Sequence, residues 1–259
     1  MDRQRAQATF NEYVSAYDPH NPRIALKVAH TLRVAQLCDI IAKACGPDEA
    51  NLANKDVDLA WLCGILHDIG RFEQVRRYDT FNDAMSVSHA TLGIEVLFAS
   101  DADLLRRFVR DDSHDELIRD VVATHSDYRL PNTFDERTTT FCNVLRDADK
   151  IDILKVNCIC PIQDIYGVSE WDMEHSELSP AVIDAFYERR TVPRDIRQYP
   201  ADILVGHICF AWELVFEQSR RVMREQGYLA QMLSRRFANE RTRREFASMA
   251  QFMRAELNM

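Results

Sequence analysis

The chain has 259 residues, of which 46% are hydrophobic and 28% charged, with only 7 Gly and 8 Pro. That is enough chain for one large domain with its own core, and too few turn-forming residues for a β-rich architecture. The net charge of −9 argues against nucleic-acid binding as the main work, while a small anionic substrate stays compatible if cations are gathered locally or a metal supplies charge.

Residues 3–16 read as a mostly polar helix. The stretch "DPHNP" (18–22) breaks the chain, and Pro22 ahead of Arg23 suits a helix start. Residues 23–45 carry Leu26, Val34, Leu37 and Ile41 at helical spacing. Residues 46–56 read as a loop or a short helix. A second striped helix follows over 56–69, with Leu59, Leu62, Cys63 and Leu66, and Gly70 is read as its C-cap. Helices are expected over 84–99, over 101–110 and over 115–125, where Ile118, Val121 and Val122 share a face. Pro131 stops the last of these. Residues 135–156 form a long helix with Phe141, Cys142, Leu145 and Ile151 inward. Residues 160–180 read as irregular, and helices resume over 180–190, 200–225 and from 228 to the end. With no period-2 strand pattern, the expectation is an all-α chain and one domain over 1–259.

The 7 Cys are odd in number and sit mostly in apolar runs (Cys38, Cys63, Cys142, Cys209), as reduced residues of a cytoplasmic protein do. Cys158 and Cys160 form a C-x-C without a second half, a weak sign of metal. "MDRQRAQATF" has no apolar run and no segment reaches the roughly 18 apolar residues of a span, so neither a signal peptide nor a membrane segment is expected.

Several polar residues fall on apolar stripes. His30 shares a face with Leu26, Val34, Leu37 and Ile41, and His67 and Asp68 end the next helix. His89 lies near the start of 84–99, His125 continues the Ile118 face, and Asp149 continues the Cys142 face. A single core His is commonly satisfied by a backbone carbonyl. Five helices, each with an inward His or Asp, are harder to explain that way. Unpartnered buried carboxylates are costly, and no Lys or Arg is read on the faces of Asp68 and Asp149. A divalent metal would accept neutral imidazoles and carboxylates together. Adjacent helical positions point about 100° apart, so His67 and Asp68 can approach one ion from two directions, with further ligands from other helices. A mixed N/O set suits Mn, Fe, Co, Ni or Zn.

The ordered set H…HD…D, in "KVAHTLRVAQL", "LCGILHDIGRFEQ", "ATHSDYR" and "LRDADKIDIL", resembles the HD-domain metal-dependent phosphohydrolases over about residues 24–155. The resemblance implies an HD-type helical bundle, with additional C-terminal helices over about 156–259. It implies one metal held by His30, His67, Asp68 and Asp149, and, as in some branches, a second held by His89 and His125 with Asp68 bridging. It further implies hydrolysis of a phosphate ester or anhydride of a small, nucleotide-like molecule by metal-activated water. Asp68 is then the bridging ligand and proton acceptor, and Arg71 the residue that meets phosphate oxygens. Arg33 and Lys150 are candidates for added charge. Plainer readings stay open: Arg71 complements the negative end of the 56–69 helix, and Lys150 pairs with Asp147. Specificity does not carry over. No Gly-Tyr-Pro motif or His-His pair occurs, and "IGRFE" (69–73) places Arg71 where one monophosphatase branch has Glu. The alternative is a catalytically weak regulatory module that keeps the metal site.

His207, in the apolar run "ILVGHICFAWELVF", reads as a satisfied core His. That run packs on the core or on a second subunit, so a homodimer is allowed. Residues 235–246 read as a solvated charged face, and His20, His114 and His175 are assigned no role.

Overall fold

A computed structural model describes residues 1–44, 54–99 and 104–258, with side chains in the middle stretch from Asp56 onward. The expected loop or short helix at 46–56 therefore lies almost wholly outside the described residues, and the helix expected at 101–110 is described from Leu104. Among the described residues every regular element is a helix and there is no strand. None of these helices is long and apolar enough to cross a membrane. The chain divides into two compact units, Met1–Asp149 and Lys150–Met259.

The first unit runs α1 (Arg3–Val14), α2 (Pro22–Ala44), α3 (Asn54–Leu66), α4 (Ile69–Tyr78), α5 (His89–Phe98), α6 (Leu104–Phe108), α7 (Asp115–Thr124) and the start of α8 (Glu136–Ile159). Helix α2 buries His30, Val34, Leu37, Cys38 and Ile41, while Leu26 is only half-buried. Its partner is α3. A Cβ built on Gly64 would lie 2.6 Å from Ala35 Cα, so the glycine lets the two backbones close up.

Gly70 is not a C-cap. Helix α3 stops at Leu66, and after a two-residue turn α4 begins at Ile69 with Gly70 inside it. Gly70 is needed for packing: an added Cβ would meet His89 O at 2.2 Å and Gly93 N at 2.3 Å. Helices α4 and α5 thus touch backbone to backbone, where no larger residue fits. Helix α1 holds the outer side of α4. Phe10 and Phe72 are fully buried with ring centroids 6.0 Å apart, each contributing about 2–3 kcal/mol of burial. Tyr13 Oη donates to Ile69 O at 3.2 Å, and Tyr17 Oη to Glu73 at 2.6 Å.

The helix expected from residue 84 starts at His89, after a 3-10 turn over Asp83–Met85. Ser88 is its N-cap, its Oγ accepting from Thr91 N at 3.3 Å.

The second unit completes α8 and adds α9 (Ile162–Tyr166), α10 (Glu170–Glu174), α11 (Pro180–Tyr187), α12 (Pro200–Ile208), α13 (Glu217–Gln226), α14 (Tyr228–Met232) and α15 (Glu240–Glu256). The expected single helix over 200–225 is two, separated by a 3-10 stretch and an extended Leu214 with ψ 122°. The helix expected from 228 to the end is also two, and 160–180, read as irregular, holds α9 and α10. Buried Asp202 ties the unit together. It accepts from Ser179 N at 2.9 Å, Ser179 Oγ at 2.6 Å, Gln198 N at 2.8 Å and Tyr199 N at 3.0 Å. His207 is half-buried, its Nδ1 2.9 Å from Tyr166 Oη.

Candidate metal centre

His67 and Asp68 form the turn between α3 and α4. His67 N still donates to Cys63 O at 2.9 Å, closing α3, and Arg71 N donates to Asp68 O at 2.9 Å, opening α4. Asp68 is the N-cap of α4, yet its side chain caps nothing. An N-cap Asp ordinarily spends its carboxylate on the first free N–H groups. Here that carboxylate is released and turned inward, 4% exposed.

Four imidazoles converge on it. Asp68 Oδ2 lies 3.5 Å from His30 Nε2 and 3.4 Å from His67 Nε2. Asp68 Oδ1 lies 3.6 Å from His89 Nε2 and 3.8 Å from His125 Nε2. One carboxylate therefore offers a different oxygen to each of two His pairs. Asp149 joins the first pair, its Oδ1 3.1 Å from His30 Nε2 and 3.9 Å from His67 Nε2. Within each pair the nitrogens nearly touch, at 3.3 Å for His30 and His67 and 3.0 Å for His89 and His125.

The far ring nitrogens decide which atom carries the lone pair. His67 Nδ1 lies 2.8 Å from Gly64 O, His125 Nδ1 2.8 Å from Val122 O, and His89 Nδ1 2.8 Å from Asp83 Oδ2. Each of these partners accepts, so Nδ1 carries the proton and Nε2 faces the centre as a free donor to a cation. Burial, then the charge of Arg71, lowers His89 to about 4, and burial, then His89 and His67, lowers His125 to about 3. Both are neutral ligands at neutral pH. Burial alone would raise the Asp68 carboxyl, but the cations Lys27 and Arg71 hold it well below the usual range. Asp149, opposed by burial, is held low chiefly by His30.

The donor set fits divalent ions. Ligand atoms of His30, His67 and Asp68 lie within 4.8 Å of one another, as do those of Asp68, His89 and His125. Among the described residues these are the groups of this kind, and Cys158 and Cys160 are not among them. All six expected ligands come together, whereas the expected cations divide. Arg71 reaches the centre, its Nε 3.5 Å from Asp68 Oδ1. It lies in the first turn of α4, not at the negative end of a helix, which removes the plainer reading of its place. Its Nη1 donates to Gln74 Oε1 at 2.6 Å, Phe81 O at 2.8 Å and Asp83 Oδ1 at 2.9 Å. Arg33 is half-buried on α2, one turn past His30. In the second unit Lys150 Nζ lies 2.6 Å from Glu213 Oε2.

One premise of the sequence reading is overturned. A cation does lie on the Asp68 face: Lys27 Nζ is 2.5 Å from Asp68 Oδ2. The case for metal therefore rests on the converging Nε2 atoms, not on an uncompensated carboxylate. Sequence reasoning also missed Asp83, Gln74 and Arg146. Asp83 Oδ1 accepts from Gln74 Nε2 at 2.8 Å as well as from Arg71. Buried Arg146 donates to Asp127 O at 2.6 Å and to Thr124 O and His125 O at 3.2 Å, fixing the end of α7 that carries His125. Lys27 had a usable signal, one turn before His30. Asp83 and Gln74 had none beyond polar type.

Comparison with known proteins agrees with this geometry. A family model described as the HD domain matches residues 28–154. No curated protein and no solved structure matches the chain. HD domains bind divalent metals and are in general hydrolases. Residues 28–154, from just before His30 to just past Asp149, match the HD-domain superfamily.

Proposed function

We propose that the chain is a metal-dependent phosphohydrolase acting on a phosphate ester or anhydride of a small, nucleotide-like molecule. The observation that carries the reading is the division of Asp68, Oδ2 toward His30 and His67 and Oδ1 toward His89 and His125. His30, His67, Asp68 and Asp149 would hold one divalent ion, and Asp68, His89 and His125 a second. Nitrogen and oxygen donors together favour Mn, Fe, Co, Ni or Zn. When bound, such ions supply Lewis acidity, bringing the pKa of a water toward neutrality and offsetting charge on phosphoryl oxygens.

The chain's own residues supply position and charge. Asp68 serves as the bridging ligand, one oxygen toward each His pair, and as the candidate acceptor of the water's proton. Arg71 stands beside Oδ1 with its guanidinium fastened by Asp83, Gln74 and the Phe81 carbonyl, so it meets a phosphate oxygen without first being ordered. The half-buried Arg33 is a second candidate for that charge.

The test is metal analysis of purified protein with assays for phosphomonoester, phosphodiester and nucleotide pyrophosphate hydrolysis in added Mn²⁺. Activity that needs metal and disappears in Asp68→Ala and His67→Ala supports the reading. Full activity in Asp68→Ala sinks it, and a protein that binds metal but hydrolyses nothing in the panel is the regulatory module instead.

A further inference from the structure

We propose that Lys27 is a substrate-binding residue whose ammonium serves two anions in turn, the Asp68 carboxylate and the phosphoryl group of the substrate. The inference rests on the phosphohydrolase reading above.

Lys27 lies on α2 one turn ahead of His30, so its side chain rises on the same side of the helix. Its Nζ is 2.5 Å from Asp68 Oδ2, the oxygen that also faces His30 and His67. A cation in this position weakens the pull of that oxygen on a second cation, because like charges a few ångströms apart repel strongly in a water-poor site. An ion held by His30, His67 and Asp68 would therefore loosen the Lys27 contact.

The two cations beside Asp68 are held in different ways. Arg71 stands at Oδ1 and is fastened by Gln74, Phe81 and Asp83. Lys27 stands at Oδ2, with Asp68 as its ion-pair partner and the Phe81 ring centroid 5.3 Å away. The same ring centroid lies 5.7 Å from Arg71 Cζ, so both cations border one aromatic ring. The Lys27 side chain is 14% exposed, enough for its flexible stem to turn toward an incoming ligand. A compact ammonium on such a stem suits a phosphate that arrives and leaves, and the fixed guanidinium suits its orientation. Divalent ions on both sides would outweigh Asp68 and Asp149, and Lys27 adds to the surplus. A centre of this charge fits a phosphoryl dianion better than a neutral substrate.

The experiment is calorimetric titration of the full chain with Mn²⁺, then with inorganic phosphate at saturating Mn²⁺, for wild type, Lys27→Met and Lys27→Arg. Lys27→Met is expected to bind Mn²⁺ roughly three- to tenfold tighter and phosphate about tenfold weaker. Lys27→Arg, which keeps the charge, is expected to restore most of the phosphate affinity. Lys27→Gln gives the same reading should the Met variant fold poorly. If Lys27→Met weakens Mn²⁺ binding, Lys27 merely holds Asp68 in place and the proposal is overturned. Unchanged phosphate affinity also overturns it while leaving the phosphohydrolase reading intact. A wild type that binds no Mn²⁺ removes both.

Discussion

Asp83 Oδ2 lies 2.8 Å from His89 Nδ1, and the other oxygen of the same carboxylate lies 2.9 Å from Arg71 Nη1. One residue of the 3-10 turn thus sets the ring of a candidate metal ligand and the stance of the cation beside it. Removing such an outer partner weakens metal binding by about 10- to 100-fold. Asp83→Ala is expected to lose that much at the His89 and His125 side and little at the His30 and His67 side. A Mn²⁺ titration resolves the two: one weakened step is predicted, and equal loss at both steps, or none, speaks against the assignment.

Gly70 should tolerate no side chain. The atoms a Cβ would meet, His89 O and Gly93 N, belong to backbone and cannot rotate away. Gly70→Ala is expected to cost about 3 kcal/mol and to shift α5, which carries His89. Urea unfolding measures the cost. A variant with wild-type stability would mean that α4 and α5 are further apart than described.

Acid should destabilise the metal-free protein before the carboxylates titrate. His89 and His125 have folded pKa values of about 4 and about 3, below the ordinary 6.5. As pH falls below about 6.5 the unfolded chain takes up these protons first, so stability falls from there to about 4 for His89 and about 3 for His125. Each His contributes on the order of 1–3 kcal/mol to the loss. Chemical unfolding in chelator at pH 7, 5.5 and 4.5 reads the slope. His125→Gln is expected to flatten it, and a wild type as stable at pH 4.5 as at 7 would show that these rings are not buried neutral.

In the second unit the sensitive position is Asp202. Its carboxylate satisfies four donors from Ser179, Gln198 and Tyr199, and Asp202→Ala strands them. The expected loss is about 3 kcal/mol or more, with Asp202→Asn losing less because one acceptor remains. Calorimetric melting distinguishes this from a surface substitution, which would move the transition very little.

How legible all this is in the sequence depends on the kind of signal each residue carries. His30, His125 and Asp149 stand out because a polar side chain on an apolar stripe is costly unless it is used, and periodicity alone exposes it. Helix α4 escapes for the opposite reason. "GRFEQVRRY" is polar, and Gly70 looks like a terminator, whereas its actual constraint is the α5 backbone, more than fifteen residues on and invisible to local pattern. The break between α12 and α13 escapes because "ILVGHICFAWELVF" is apolar apart from His207 and Glu213, so burial has no clear period to reveal a change of direction. Asp83 and Gln74 are ordinary polar residues in sequence. Only the folded chain shows that their hydrogen bonds converge on His89 and Arg71.

The central claim is that Asp68 joins two ion sites, and the metal content of the protein tests it most directly. After loading with Mn²⁺ and removal of free ion, elemental analysis should find two ions per chain in wild type. It should find one in a His89→Ala, His125→Ala double variant and essentially none in Asp68→Ala. Two ions retained in the double variant, or one in wild type that persists in Asp68→Ala, would contradict the account.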